Sequence, residues 1–500
     1  MFSSENNDNK YVNNFINDLL NQFNCDTESQ THNISTNNEL SFDATVCSGN
    51  QQYEEAAEKK NSFLFDEVDD AVEAAVKAQK ELVKCSLAKR AEIINAIREK
   101  IRENIPQLVR MELDETGYGR YEDKVAKHLL TINKTPGVED IKPEVYTGDD
   151  GLTLIEKRAY GVACCVLPST APSCTPIHNG ICMVAAGNSV VFSPHPGGKN
   201  TTYAVLELMN EAVREAGGPA NIFVTTKEAT IDKANEMMHH PKIDLLVATG
   251  GPGVVKAILS SGKKAIGAGP GNPPVFVDET ADIPKAAKDI IAGNSFENCI
   301  QCNGEKECLV IDSIADLLIG EMQKNGAYLI KDMATIDKLT DLVTTDKGGV
   351  NRKYIGKDAK IILTDIGITV GDEIRTIIYE VPADHITVME EYLMPLLPIV
   401  RVKNVDEGIE KAVIIEGRRR HSAVLHSRDV HTITEYAKAI QTTILVKNGP
   451  SFAGVGYGGE GYATMTIAGP TGEGLTRPKS FTRETRCALI KEFNVRSGTR

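Results

Sequence analysis

The sequence predicts an α/β fold in more than one lobe, and three observations carry that expectation. Short apolar runs recur along the chain, separated by stretches with helical spacing, which is the pattern of parallel strands buried on both faces. At 500 residues the chain is longer than one simple core encloses, so two or three lobes are expected. A content of 41% hydrophobic and 25% charged residues is that of a soluble globular protein.

Residues 1–62 stand apart, rich in Asn, Ser, Thr, Gln, Asp and Glu, with too little apolar surface to offset chain entropy. One island within them, residues 9–24, places Tyr11, Val12, Phe15, Ile16, Leu19, Leu20 and Phe23 at steps of three and four. A helix would carry these as one apolar stripe. The only basic residue beside it is Lys10, which disfavours a membrane anchor or an organellar presequence. A short amphipathic helix on a tether reads as a docking peptide for a groove on another protein, the alternative being that it folds back on its own chain.

From Phe63 the sequence turns helical, dense in Ala, Glu, Lys, Ile and Leu, with Pro106 where a helix would start or bend. Strands are then expected at Val162–Leu167, Ser189–Phe192, Ile222–Val224 and Ile243–Ala248, alternating with helices such as Thr202–Ala216. A second set is expected at Val275–Val277, Cys308–Ile311, Lys360–Leu363, Leu397–Arg401, Ser422–His426 and Thr443–Lys447. Gly449–Gly474 reads as loop, and Phe481–Phe493 as a strand in a tail.

The net charge of −14 argues against a nucleic-acid partner. No apolar run has the length of a membrane span or a signal-peptide core. The 11 cysteines form no regular framework, which points to free thiols in a reducing cytoplasm.

The chemistry is concentrated in Ser295–Asp312, SFENCIQCNGEKECLVID, where Cys299, Cys302 and Cys308 fall in one turn-rich passage running into a strand. A thiol on a polar loop at a strand's mouth is placed to act as a nucleophile. A ligand site is indicated by three strand ends in order: VACCVLPSTAPSCTP (162–176), NSVVFSPHP (188–196) and KIDLLVATGGPGVVK (242–256). In the last, Thr249-Gly250-Gly251-Pro252-Gly253 lets the chain turn sharply and a pyrophosphate approach the amides of a helix start. A plain βα turn would explain that motif alone; three such ends together make a dinucleotide site credible.

These passages, with AAGNSVVFSPHP, FENCIQCNGEKE and YLMPLLP (392–398), resemble the aldehyde dehydrogenase superfamily from about Phe63 to the carboxyl end. The resemblance is strongest to its CoA-acylating branch, the propionaldehyde and acetaldehyde dehydrogenases of bacterial microcompartments. It implies an aldehyde dehydrogenase-like fold. A Rossmann-type NAD-binding lobe would span 63–270 and carry an oligomerisation hairpin near 141–160. An α/β catalytic lobe would span 271–460, and a return segment and oligomerisation tail 461–500, in a homo-oligomer. It also implies that residues 9–24 dock to microcompartment shell proteins, so that the enzyme is cytoplasmic but encapsulated.

By the same resemblance Cys302 is the nucleophile, Cys299 a bystander or redox neighbour, and Cys308 core. Glu391, in register with its neighbour Glu390 as the alternative, holds the nicotinamide ribose, and Thr249 and Gly250 lie beside the pyrophosphate. Pro168 lies on the cofactor-side loop. Ser193 replaces a lysine that contacts the adenosine ribose in hydrolytic relatives, which favours NAD over NADP. His195 sits near that sugar or the adenine, or is an unrelated surface histidine. The oxyanion donors are the Cys302 amide and the Thr170 hydroxyl, because Ala171 stands where related acylating enzymes carry an asparagine.

One departure sets the expected reaction. Hydrolytic members carry a glutamate base where this chain has Gly267, and no carboxylate occurs between Lys264 and Val277. Water is then a poor nucleophile toward a thioester, whereas a thiol needs less help. The expectation is therefore oxidation of a short aldehyde, propionaldehyde favoured, with release to coenzyme A. A hydrolytic enzyme giving the free acid and a catalytically silent shell-binding scaffold are the rivals.

Overall fold

The computed structural model describes residues 63–493 and 495; the amphipathic stripe at residues 9–24 lies outside them. Among the described residues no helix is long and apolar enough to cross a membrane. After β1 (Leu64–Phe65) come the helices Val68–Leu82, Leu87–Thr116 and Tyr121–Lys134. The second of these runs unbroken through Pro106. Then follow β2 (Glu144–Gly148), β3 (Gly151–Ala159), β4 (Val162–Val166), β5 (Ser189–Ser193), β6 (Phe223–Thr226), β7 (Leu245–Thr249) and β8 (Lys264–Ala268).

Six of these strands form one parallel sheet in the order β1-β6-β5-β4-β7-β8. After the edge strand β1, the chain lays down β4, then moves outward to β5 and β6 on one side and to β7 and β8 on the other. The carboxyl ends of β4 and β7 therefore flank the point where strand order reverses, the place where open α/β sheets leave a crevice for ligands. The run VACCV is apolar throughout because both faces are covered: Ala163 and Cys165 pack into one core, Val162 and Cys164 into the other.

The second lobe repeats this logic. β9 (Pro274–Val277), β10 (Glu307–Ile311), β11 (Ala327–Ile330), β12 (Thr376–Glu380), β13 (Leu396–Val402), β14 (Ser422–His426) and β15 (Ile444–Lys447) form a seven-stranded parallel sheet, order β11-β12-β13-β10-β9-β14-β15. The helix Val405–Glu416 lies so close to it that a Cβ at Gly408 would come within 2.4 Å of the Phe276 ring. Two short strands, β16 (Ile467–Ala468) and β17 (Gly474–Leu475), pair within the return segment. The tail strand β18 (Thr482–Ile490) runs back antiparallel along β3, making the three-stranded sheet β18-β3-β2. That sheet leaves Val145, Tyr146, Leu489 and Ile490 exposed.

The strand expected at Lys360–Leu363 is instead part of the helix Ala359–Asp365. Its buried residues Ala359, Ile362 and Leu363, with Ile366 at its C-cap, are spaced at three and four. That helical stripe outranks the short apolar run, which by itself fits either structure. The strands β8, β11 and β12 were not expected from the sequence, and the stretch read as loop, Gly449–Gly474, contains β16.

Candidate functional site

Cys302 sits in the turn between the helical segment Phe296–Cys299 and β10. It is partly exposed, whereas Cys299 and Cys308 are buried, so of the three it alone keeps some exposure. Cys308 lies on β10, between β9 and β13 in the sheet. Cys299 Sγ accepts from Lys306 Nζ at 3.2 Å and from Asn294 Nδ2 at 3.5 Å.

Three residues before Cys302 the backbone does something uncommon. Glu297, Asn298 and Cys299 all take positive φ, at 49°, 54° and 58°, a region that costs non-glycine residues energy unless the surroundings impose it. A buried ion network imposes it here. Glu297 is fully buried, and it accepts from Lys124 Nζ at 3.0 Å, Lys127 Nζ at 2.7 Å and Gln301 Nε2 at 3.1 Å. Lys124 also donates to Glu112 Oε1 at 2.5 Å, and the Glu297 amide donates to Asp123 at 2.9 Å. Burial by itself would raise the Glu297 pKa, but Lys124 and Lys127 more than reverse it and hold the carboxyl at about 2.

The opposite wall comes from the loop after β8. Gly271 touches the backbone of Cys302: a Cβ there would lie 2.4 Å from the Cys302 carbonyl oxygen and 2.9 Å from the His421 ring. Its amide donates to Glu391 Oε1 at 3.2 Å. Glu391 therefore faces inward, while Glu390 is largely exposed beside Arg419. Burial lifts the Glu391 carboxyl to about 7. Burial and then Glu391 push the Cys302 thiol up to about 12. His421 is buried, with Nδ1 at 2.8 Å from Ser422 Oγ and Nε2 without a partner. Burial lowers its pKa to about 3, so the imidazole is neutral.

Gly267, on β8, is equally constrained. Its amide donates to Thr471 Oγ1 at 3.3 Å, and a Cβ there would meet Val255 at 2.8 Å. The position carries no carboxylate and has little room for one.

The other sequence-predicted residues line the carboxyl edge of the first sheet. Pro168 and Thr170 lie half-buried in the loop after β4, and Thr202 Oγ1 pins that loop through Pro172 O at 2.9 Å. Ser193 ends β5, opposite Val166, and is buried. His195 is exposed, and its Nδ1 accepts from the Gly197 amide at 3.0 Å. Thr249 ends β7 with its hydroxyl 3.0 Å from Thr466 Oγ1, and the Gly250 amide donates to Ala268 O at 3.0 Å. Because β5, β4 and β7 are neighbours, these ends form one rim. At Gly251 and Gly253 a Cβ would meet nothing within 4 Å, so bare backbone lies open at the start of the helix Pro252–Leu259. Open amides at a helix start beside a strand-order reversal fit a pyrophosphate.

Residues 59–465 match the aldehyde dehydrogenase family. The chain belongs to that family. An acetylating acetaldehyde dehydrogenase of Salmonella typhimurium is 46% identical over 439 residues, covering 86% of this chain and 93% of the relative. The crystal structure of a propionaldehyde dehydrogenase from Rhodopseudomonas palustris, with bound CoA and an acylated cysteine, is 50% identical with a TM-score of 0.86, covering 87% of this chain and 100% of that one. A propionaldehyde dehydrogenase from a Clostridium phytofermentans fucose utilisation microcompartment matches at 50% identity and TM-score 0.85, covering 87% and 99%.

Sequence reasoning missed several residues that crowd this family member's cysteine: Glu297 with its lysines, Lys306, Gly271 and His421. The glycine in AIGAGPGNP and the lysine in EKE lay within motifs already singled out. His421 follows three arginines with no signal of its own.

Two predictions follow from the electrostatics. Glu297→Gln leaves two buried ammonium groups underpaired and should cost about 3–5 kcal/mol in denaturant unfolding. Because the folded pKa lies below the ordinary carboxylate value, the wild type's stabilisation is present above that value and is lost as pH falls toward about 2. In cofactor-free protein, Glu391→Gln should speed iodoacetamide alkylation of Cys302 several-fold at a fixed mildly alkaline pH, by removing the carboxylate that opposes the thiolate. An unchanged rate would contradict that coupling.

Proposed function

We propose that the protein oxidises a short aldehyde, propionaldehyde favoured, to its acyl-CoA with NAD⁺. The observation that carries this reading is the pairing of a partly exposed Cys302 with Gly267, a position crowded against a general base by Val255. The high identity to CoA-acylating relatives supports it.

In this mechanism the Cys302 thiolate, its proton lost to solvent, attacks the aldehyde carbon as the C=O π bond opens, and the Cys302 amide and Thr170 hydroxyl stabilise the oxygen that becomes negative. NAD⁺, when bound, supplies the hydride acceptor. Pro168 and Thr249 would border its phosphates, the Gly251 and Gly253 amides would hold them, and Glu391 would hold its nicotinamide ribose. Ser193 and His195 would border the adenosine end, where no lysine replaces Ser193 to pair a 2′-phosphate. The coenzyme A thiol then attacks the acyl carbon, the bond to Cys302 Sγ breaks, and the cysteine returns as thiolate. His421, neutral and with Nε2 unpartnered, would hydrogen-bond the incoming thiol, whose proton passes to solvent because an imidazole lowered to about 3 is too weak a base to hold it.

We assign the NAD-binding lobe to 63–270, the catalytic lobe to 271–460 and the oligomerisation tail to 461–500. The apolar side chains exposed on β2 and β18 support a homo-oligomer. The stripe at residues 9–24, together with the microcompartment origin of a close relative, supports docking to shell proteins inside such a compartment.

With propanal, NAD⁺ and CoA, the wild type should form NADH and propanoyl-CoA, and should form almost no NADH turnover without CoA. Cys302→Ala should abolish the reaction and Cys299→Ala should largely spare it; full activity in Cys302→Ala would sink the assignment. Deleting residues 1–25 should leave kinetics intact while abolishing co-sedimentation with assembled shell proteins. Loss of folding on that deletion would show instead that the segment packs on its own chain.

A further inference from the structure

Lys306 is 3% exposed, and its ammonium is fully engaged without a carboxylate partner. It donates to the Cys299 carbonyl at 2.8 Å, the Gln301 carbonyl at 2.9 Å and Cys299 Sγ at 3.2 Å. An ammonium has three N–H donors, and all three are spent on the few residues that lead into Cys302. The neighbouring acids do not serve it. Glu305 is taken by the Ser451 amide at 2.8 Å and the Ser451 hydroxyl at 2.6 Å, and neither carboxylate oxygen of Glu307 has a partner. Burial opposes the charge on Lys306, but Cys299 and then Glu391 facing it outweigh that and keep it an ammonium. A buried cation bonded only to backbone carbonyls and a thiol is costly as a structural device. What it holds is therefore informative.

The Gln301 carbonyl and the Cys302 N–H belong to one planar trans peptide and point in opposite directions. Drawing that carbonyl onto Lys306 turns the Cys302 N–H away from the lysine. The Gly304 amide, donating to the same carbonyl at 3.2 Å, clamps the peptide from a second side. Among the described residues no other residue accepts from the Cys302 N–H. The donor therefore faces its own Sγ, beside which the oxygen of an attacked carbonyl would lie.

We propose that Lys306 is a positioning residue that aims the Cys302 amide at the oxygen of the tetrahedral intermediate, through the peptide Cys302 shares with Gln301. This rests on Cys302 being the nucleophile of the reaction proposed above. Lys306 does not touch the reacting atoms; it sets the direction of a group that does.

The test compares wild type with Lys306→Met, which keeps the stem and loses the donors. Aldehyde oxidation develops an oxyanion, whereas alkylation of Cys302 by iodoacetamide displaces iodide at a saturated carbon and develops none. Lys306→Met should lower kcat with propanal by about 10²–10³-fold, the loss typical of one oxyanion donor. The KM for CoA should stay unchanged, and the alkylation rate at one fixed mildly alkaline pH should fall by no more than about tenfold. Turnover at the wild-type rate would overturn the proposal, as would alkylation falling as steeply as oxidation, since that would mark a collapsed loop. If Lys306→Met does not fold, Lys306→Gln, neutral and shorter, carries the same comparison. A wild type that fails to oxidise propanal while alkylating normally would remove the proposed reaction instead.

Discussion

The arrangement depends on one buried carboxylate. Glu297 joins the helix Tyr121–Lys134, which lines the first lobe's core through Leu129 and Ile132, to the turn that presents Cys302 in the second lobe. Both of its oxygens are used, and Gln301, next to the nucleophile, takes one of them. Three consecutive left-handed residues would relax toward ordinary backbone if that network opened. The position of the thiol relative to the strand rim of the first lobe is therefore set electrostatically, in a dry interior where the charges are strongly coupled. Lys306 holds the same turn from its other end, so Cys302 lies between buried ammonium groups on both sides.

Against that scaffold the chemistry is shaped by what two glycines leave out. Gly271 lets the loop after β8 press onto the Cys302 carbonyl and the His421 ring, a contact no side chain would permit. Gly267 removes the base and, crowded by Val255, does not admit it back. A thioester built on Cys302 is then protected from water by the lack of a proton acceptor at that position, while a thiol, more acidic and more nucleophilic, can still discharge it.

The parts of this account legible in the sequence are those written locally. Strands such as VACCV and SVVFS show themselves because burial on both faces makes them apolar throughout, and Cys302 shows itself by its polar turn. Gly267 is visible as a missing carboxylate. What escaped is written in pairs distant along the chain: Lys124 and Lys127 find Glu297 some 170 residues later, and Gly271 meets His421 only after β14 has been placed beside β9. The run at Lys360–Leu363 was misread because its identity lies in a stripe extending from Ala359 to Ile366, longer than the run itself. β8 escaped because KAIGA is short, glycine-containing and at the edge of its sheet.

The central claim is that the acyl group waits on Cys302 for a thiol. Intact-protein mass spectrometry after incubation with propanal and NAD⁺, without CoA, tests it most directly. The account predicts a mass increase of one propanoyl group, located on the Cys302 peptide, that persists in buffer and disappears on adding CoA with formation of propanoyl-CoA. Free propanoate accumulating with the cysteine unmodified would contradict it.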